Sequence, residues 1–192
     1  MKTRNLWRWI APLMLIITGC VSTPHKAKME ITDLISQPQP GKALIIFLRS
    51  SHSYSDSLAT QLFDDERYIG TSRPETLISY QAQPGKHLFI AMVDKVNFLS
   101  ADLQAGKTYY VLVTFRGDAI SQQFGLIPQN GDIDERKINA MLKHFQAMAP
   151  TLAGLEYGET LQQEVEAKKA EFLPLYEQRG DKKIVLKKES GV

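Results

Sequence analysis

The sequence predicts a mainly β protein with a helical C-terminal part: an antiparallel β-sandwich of seven or eight strands, of the immunoglobulin or transthyretin type, covered by two C-terminal helices. Short runs rich in Ile, Val, Phe and Tyr recur between residues 42 and 128, and Pro, Gly, Asp or Ser separates them. After residue 133 the apolar residues change to helical spacing. A chain of 192 residues that is 43% hydrophobic and 23% charged can bury a sizeable core, which excludes collagenous, coiled-coil and largely disordered classes.

Residues 1–19 are typical of a secretory signal. Lys2, Arg4 and Arg8 supply positive charge, and an apolar run over residues 10–18 follows them. That run is too short to cross a bilayer, because a transmembrane helix needs about 20 apolar residues. The sequence therefore predicts a leader that is removed.

The end of this segment predicts a lipid anchor. Residues 16–20 (IITGC) resemble the lipobox of bacterial lipoproteins, which implies diacylglycerol on the Cys20 thiol, cleavage before it and acylation of the new amine. Two or more acyl chains give stable membrane anchoring. Val21 follows the cysteine instead of the aspartate that retains many lipoproteins in the inner membrane, so the resemblance implies the periplasmic face of the outer membrane. The alternatives are an ordinary signal with a chance cysteine and a buried core thiol.

Cysteine content and charge exclude further classes of site. Cys20 is the only cysteine, which rules out a disulfide scaffold and every multi-cysteine metal site. Residues 1–19 hold three of the 23 basic residues and none of the 21 acidic ones, so their removal leaves a net charge of −1. The mature chain therefore has no electrostatic footprint for nucleic acid.

Residues 20–40 are interpreted as a lipidated tether, because Pro24, Pro38 and Pro40 stand among polar residues. Residues 41–128 form the predicted β-sandwich. Its clearest strands are residues 42–49, 77–81, 86–94 and 107–116, with weaker candidates at 58–63, 67–70, 96–103 and 120–127. Three similar turns (PGK at 40–42 and 84–86, AGK at 105–107) precede strands. No helical crossover separates the strands, which argues against parallel pairing.

Residues 129–179 are expected to be a helical extension packed on the sandwich. An apolar stripe marks the first helix, which should begin at Asp132 with Glu135 and stop at Pro150; its members are Ile138, Met141, Leu142, Phe145 and Met148. The second helix covers about residues 159–173, with Leu161, Val165 and Phe172 inward and Glu164–Lys168 paired outward, and Pro174 kinks or ends it. The basic tail, residues 180–192, is expected to be flexible, although 184–186 would suit an edge strand.

Four motifs in order are similar to a family of small all-β bacterial lipoproteins that is known only as a domain of unknown function. They are Gly41-Lys42-Ala43 with a strand ending in Arg49, Tyr68-Ile69-Gly70, Pro84-Gly85-Lys86-His87, and Ala105-Gly106-Lys107-Thr108-Tyr109-Tyr110. The resemblance covers about residues 40–115 and implies a lipobox, a short tether and an all-β domain. It implies no catalytic or binding residue.

The sequence contains only weak patterns of catalytic, metal-binding or recognition residues. Ser, His and Asp occur together in residues 50–57, but a nucleophilic triad needs groups preorganised on a rigid scaffold, so a polar connector is the simpler interpretation. The four histidines, His25, His52, His87 and His144, lack the spacing of a metal site. Arg116-Gly117-Asp118 spells an integrin-recognition tripeptide but follows a strand, where Gly-Asp is hairpin chemistry.

Two aromatic features suit a partner. Tyr109 and Tyr110 must point to opposite faces of one strand, so one is expected in the core, while the other is available for stacking on a sugar or a side chain. The helical stripe with Phe145 and Met148 either packs on the sheet or serves a partner.

The sequence predicts a non-enzymatic interaction or assembly module, lipid-anchored in the envelope, with no catalytic, cofactor or metal site, no nucleic-acid partner and an envelope protein as its candidate partner. The first alternative is an envelope glycan- or peptidoglycan-binding module that uses Tyr and Arg on a sheet face. The second is a hydrolase that uses His52 and Ser53 of the Ser-rich run.

Overall fold

A computed structural model describes residues 28–51, 57–115, 124–130 and 134–192. The signal with Cys20, residues 52–56 of the Ser-rich run, the tripeptide at 116–118 and Asp132 lie outside these ranges. The expectations that concern them therefore stay predictions.

The described residues form eleven strands and three α-helices. The strands are β1 (Met29–Ile31), β2 (Ala43–Arg49), β3 (Thr60–Asp64), β4 (Arg67–Ser72), β5 (Thr76–Ala82), β6 (Gly85–Met92), β7 (Val96–Leu103), β8 (Thr108–Phe115), β9 (Phe124–Pro128), β10 (Gln146–Pro150) and β11 (Val185–Leu186). The helices are α1 (Glu135–His144), α2 (Leu152–Thr160) and α3 (Gln162–Glu177). Strands β2–β9 correspond to the eight runs predicted from sequence.

The strands make two sheets that pack face to face around a shared core. The first sheet has the order β1-β10-β5-β2-β8-β9 and the second β11-β7-β6-β3-β4. A mainly β, sandwich-like fold is therefore confirmed, while the immunoglobulin or transthyretin type stays a prediction.

The expectation of purely antiparallel pairing is wrong. Three pairs are parallel: β2 with β8, β5 with β10, and β7 with β11. A parallel neighbour needs a long crossover, but that crossover need not be a helix. Between β2 and β8 the chain passes through β3 and β4 of the second sheet, β5 of the first sheet and the antiparallel β6–β7 pair of the second sheet. It then returns to the first sheet as β8, which runs parallel to β2.

Strand β2 is buried along its whole length and on both faces. Its odd-numbered apolar residues lie in the core between the sheets, and its even-numbered ones lie on the outer face of the first sheet. Ile138 and Met141 of α1 are buried against that outer face. Because β2 has no polar face, the outer side of the first sheet must be covered. The apolar side of the amphipathic helix α1 covers it.

Helices α2 and α3 cover the opposite side of the molecule. Val165 and Tyr176 of α3 are buried with Phe63 and Ile90 on the outer face of the second sheet. Helix α2 packs on β4, where Gly158 lies against the Tyr68 side chain. The C-terminal part therefore contains three helices, which pack on two faces of the sandwich, whereas the sequence predicted two helices.

The helix boundaries differ from the predicted ones. Asp134 caps α1, its Oδ1 accepting from the Lys137 backbone N at 3.2 Å. The helix ends at His144, because residues 146–150 pair as β10 with the edge of β5, which supplies backbone hydrogen bonds that a helix would not use. The predicted second helix is divided at Leu161, and Pro174 lies inside α3 instead of ending it.

Much of the expected tether belongs to the folded body. β1 pairs with β10, and residues 35–39 hydrogen-bond to side chains of β5. The Ser79 Oγ donates to the Ile35 carbonyl at 3.0 Å, and the Gln81 amide bonds both Gln37 and Gln39 at 3.0 Å. A tether that ends at residue 40 is therefore too long by about a dozen residues, since Lys28 already lies on the fold.

The C-terminal tail, expected to be flexible, is also packed. β11 pairs with β7, in agreement with the edge-strand alternative for 184–186. The backbone of Val192 exchanges hydrogen bonds of 2.8 and 3.0 Å with Thr108, and the Tyr109 hydroxyl donates to the Lys188 carbonyl at 3.0 Å. These contacts hold the tail against the start of β8.

The close approach of α2 to β4 makes a prediction about stability. A Cβ at Gly158 would lie 2.5 Å from the Cβ and Cγ of Tyr68, which is itself in the core. We expect Gly158→Ala to lower the free energy of unfolding by about 1–3 kcal/mol through overpacking, measured by denaturant titration. The matched control, Glu159→Ala, changes an exposed neighbour and should stay within about 0.5 kcal/mol of wild type. Equal stability of the two variants would contradict the packing of α2 described here.

Candidate functional site

A polar cleft of about 770 Å³ lies where the two sheets, the last turns of α3 and β11 meet. Both signs of charge line it: Lys42, Arg67 and Lys86 on one hand, and Asp65, Asp102 and Glu177 on the other. We call this surface the polar cleft. Concave surfaces that combine apolar walls with a few convergent polar groups are the usual form of a ligand site.

Three side chains at the base of the polar cleft form a hydrogen-bonded network. The Asp64 carboxylate accepts from the Tyr80 hydroxyl at 2.9 Å and from the His87 Nδ1 at 2.8 Å. Tyr80 comes from β5 of the first sheet, whereas Asp64 and His87 come from β3 and β6 of the second. The Asp64 and His87 side chains are only 12% and 13% exposed. The network thus ties the two sheets together at their open end.

The hydrogen bonds of His87 favour its protonated form. Its Nδ1 faces the Asp64 carboxylate, and its Nε2 lies 2.8 Å from the Gln83 carbonyl oxygen. Both partners are acceptors, so this arrangement favours the imidazolium form, in which both ring nitrogens donate. The hydrogen bond with Asp64 raises the pKa of His87 more than burial lowers it. In this state the ring has no lone pair with which to accept a proton or to bind a metal.

Tyr80 is held as a hydrogen-bond donor. Burial, and then the neighbouring Asp64 charge, raise the pKa of Tyr80 far above its ordinary value. The Arg67 guanidinium carbon lies 5.8 Å from the centroid of the Tyr80 ring and opposes this shift in part. Tyr80 and Arg67 therefore stand together as an aromatic and a cation at the polar cleft.

A second concave surface adjoins the first along α3. It has a volume of about 530 Å³, and its lining includes Leu173 and Glu177, which it shares with the polar cleft. Lys169 of α3 makes ion pairs with Asp65 and with Glu66, the latter at 3.1 Å. These pairs fasten α3 to the turn between β3 and β4 and so fix one wall of the polar cleft.

The structure separates the histidines and tyrosines that the sequence singled out. His87 lies in the polar cleft, whereas His144 is exposed at the end of α1. Tyr109 is fully buried and Tyr110 is half-buried on the opposite face, as the alternation predicts. In the part of the chain that the structure describes, no three His, Cys, Asp or Glu side chains converge as a metal site requires.

The apolar residues that were predicted to form the first helical stripe have definite places in the fold. Phe145 is partly buried in the cluster that α1 forms with the first sheet, and Met148 lies in β10, partly buried against the main core. Of the run at 50–57, only residues 50, 51 and 57 are described. Within residues 28–51, 57–115, 124–130 and 134–192, no helix has both the length and the hydropathy needed to cross a membrane.

Sequence reasoning missed the network of Asp64, Tyr80 and His87. Asp64 is 16 residues from Tyr80 and 23 from His87, so no local spacing joins them. The available signal was a histidine two residues after a Pro-Gly turn, at the start of a strand. Only the registers of β3 with β6, and the packing of the two sheets, bring the three side chains together.

Comparison of the chain with protein-family models, with curated proteins and with solved structures finds no match. The resemblance to small all-β lipoproteins accordingly stays a prediction.

The network predicts a pH dependence of stability. Because folding raises the pKa of His87, its contribution is complete below its ordinary pKa of 6.5 and is lost as the pH rises through the folded-state value. We expect wild type to exceed His87→Gln in free energy of unfolding by about 1 kcal/mol more near pH 5.5 than near pH 8.5. Denaturant titrations at the two pH values measure this difference.

The control for that experiment is Tyr80→Phe. It removes one donor to Asp64 but no group that titrates in this range, so its deficit should be the same at both pH values. A pH-independent deficit for His87→Gln would contradict the imidazolium assignment.

Proposed function

We propose that the chain is a lipid-anchored, non-enzymatic binding module on the periplasmic face of a bacterial outer membrane, held by acyl chains on Cys20. The observation that carries the proposal is the position of Cys20. The only cysteine of the chain stands at the end of its N-terminal apolar run, after Thr18 and Gly19. The resemblance of residues 16–20 to a lipobox supplies the location.

The position of Lys28 on the fold limits the distance between the folded body and the lipid anchor. Lys28 is eight residues after Cys20, and an extended chain covers at most about 3.5 Å per residue. The folded body therefore begins within about 28 Å of an acylated Cys20. This short linker suits a protein that works at the membrane surface.

The polar cleft is the proposed binding surface, and the state of His87 supports a non-enzymatic role. In the imidazolium form both ring nitrogens donate to protein acceptors, which are Asp64 and the Gln83 carbonyl. A general base needs a free lone pair and a nucleophile within hydrogen-bonding reach. The network therefore serves as the rigid base of a binding site, with charged groups arranged around it.

The anchor gives a direct test. Mass spectrometry of the protein purified from bacterial membranes should show a chain that begins at Cys20 and carries three acyl chains. Cys20→Ser should leave the protein unacylated and shift it from the membrane fraction to the soluble fraction. A free thiol at Cys20 in the wild-type protein, or an uncut leader, would overturn the proposal.

A second candidate function is the binding of peptidoglycan, and the mixed charge of the polar cleft favours it. Peptidoglycan stem peptides carry carboxylates and amines close together, and its sugars stack on aromatic rings. The cleft offers Lys42, Lys86 and Arg67 for the carboxylates, Asp102 for the amines, and Tyr80 as an aromatic surface. Such paired recognition depends on charge complementarity.

Sedimentation with purified sacculi tests this candidate. We expect the wild-type protein to sediment and Lys86→Glu, at the exposed rim of the polar cleft, to remain largely in the supernatant. Lys137→Glu is the matched control, because it makes the same charge reversal at an exposed position of α1 on the other side of the sandwich. Wild type that stays in the supernatant, or equal sedimentation of the two variants, would exclude peptidoglycan binding in the cleft.

A further inference from the structure

Three exposed apolar side chains lie beside the point where the described chain begins. Leu152 and Leu155, one helical turn apart at the start of α2, are 80% and 43% exposed, and Ile31 of β1 is 67% exposed. We call these three residues the anchor-side patch. Single exposed apolar residues are ordinary on a soluble protein, so the position of this group carries the argument.

The backbone fixes the anchor-side patch next to Lys28. The Thr151 backbone N donates to the Lys28 carbonyl at 3.1 Å. Gly154 lies so close that a Cβ there would be 1.9 Å from the same carbonyl oxygen. The first turn of α2 therefore rests on Lys28, and Ile31 follows three residues later, within about 10 Å along the strand.

The short chain between Cys20 and Lys28 indicates that the membrane is what contacts the anchor-side patch. Lys28 lies at most about 28 Å of chain from Cys20, so the part of the body that carries Lys28 stays within that distance of the acylated cysteine. Leucine and isoleucine gain free energy by entering the boundary between headgroups and acyl chains. Lys28, whose ammonium lies 3.1 Å from the centroid of the Tyr157 ring, stands beside them with a charge suited to phosphate groups.

We propose that the anchor-side patch rests in the headgroup layer of the membrane that holds Cys20, so that the protein has one fixed orientation on the bilayer. This inference rests on the proposed function, because it requires the acylated Cys20. It adds a second contact with the lipid, made by the folded body, which a lipid anchor alone does not imply.

A thiol-directed probe tests the proposal on the full acylated chain. Acylation consumes the only native thiol, so Leu152→Cys introduces a single reactive sulfur at a position whose side chain is exposed. The protein is labelled with an environment-sensitive fluorophore and reconstituted into vesicles of phosphatidylethanolamine and phosphatidylglycerol that contain a nitroxide-bearing lipid. Ile31→Cys provides a second probe in the patch.

Leu175→Cys is the matched control. It replaces another exposed leucine, 57% exposed on α3 beside Tyr176, whose hydroxyl bonds β7. Because β4 and β7 are three strands apart, this position lies about 14 Å across the second sheet from the strand under α2. We expect the nitroxide lipid to quench the probes at Leu152 and Ile31 several-fold more strongly than the probe at Leu175.

Each other result overturns the proposal in an identifiable way. Equal quenching at all three positions means that the body has no preferred face toward the lipid. Shielding of the Leu152 probe from aqueous iodide without quenching by nitroxide lipid means that protein, either residues 21–27 or a second copy, covers the patch. Mass spectrometry of the same samples distinguishes failure of the lipid anchor from failure of the fixed orientation. A chain without acyl groups overturns the proposed function as well. An acylated chain with unquenched probes overturns only the orientation.

Discussion

A central strand that has no polar face constrains the whole molecule. From Ala43 to Leu48, β2 alternates between the core and the outer face without presenting a polar side chain on either side. Such a strand is stable only when both faces of its sheet are covered. The second sheet covers one face and α1 the other. The second sheet has the same need, since Phe63 and Ile90 point outward, and α3 meets it.

Arg49 ends this strand and shows how a charge is kept in the interior. It is 1% exposed, its Nη1 donates to the Ser72 carbonyl at 2.9 Å, and its guanidinium carbon lies 4.2 Å from the centroid of the Phe124 ring. A buried cation is tolerated when it is hydrogen-bonded and compensated. Arg49 thereby joins β2 of the first sheet to β4 of the second and to β9.

The polar cleft follows from the same architecture. At one end of the sandwich core, polar residues lie beyond Phe89. The His87 ring stacks on the Phe89 ring there, with the ring centroids 5.8 Å apart. Asp64 receives donors from both sheets there, so the end of the core is closed by hydrogen bonds instead of apolar contacts. The result is a rigid base with charged residues around it, located on a body that begins close to its proposed membrane anchor.

The sequence by itself determined the β2–β9 strands, the turns before β2, β6 and β8, and the helical character of the C-terminal part, because alternation and turn chemistry are encoded by adjacent residues. Gly41, Gly85 and Gly106 have the positive φ that those turns require. Tertiary structure alone decided the pairing. It made residues 146–150 a strand because β5 offered an open edge, and it paired β1 and β11 with the sheets. It also assembled Asp64, Tyr80 and His87 from three strands. Hydrogen-bonding partners that lie far apart in the chain leave no local pattern, so only the folded chain could show the site.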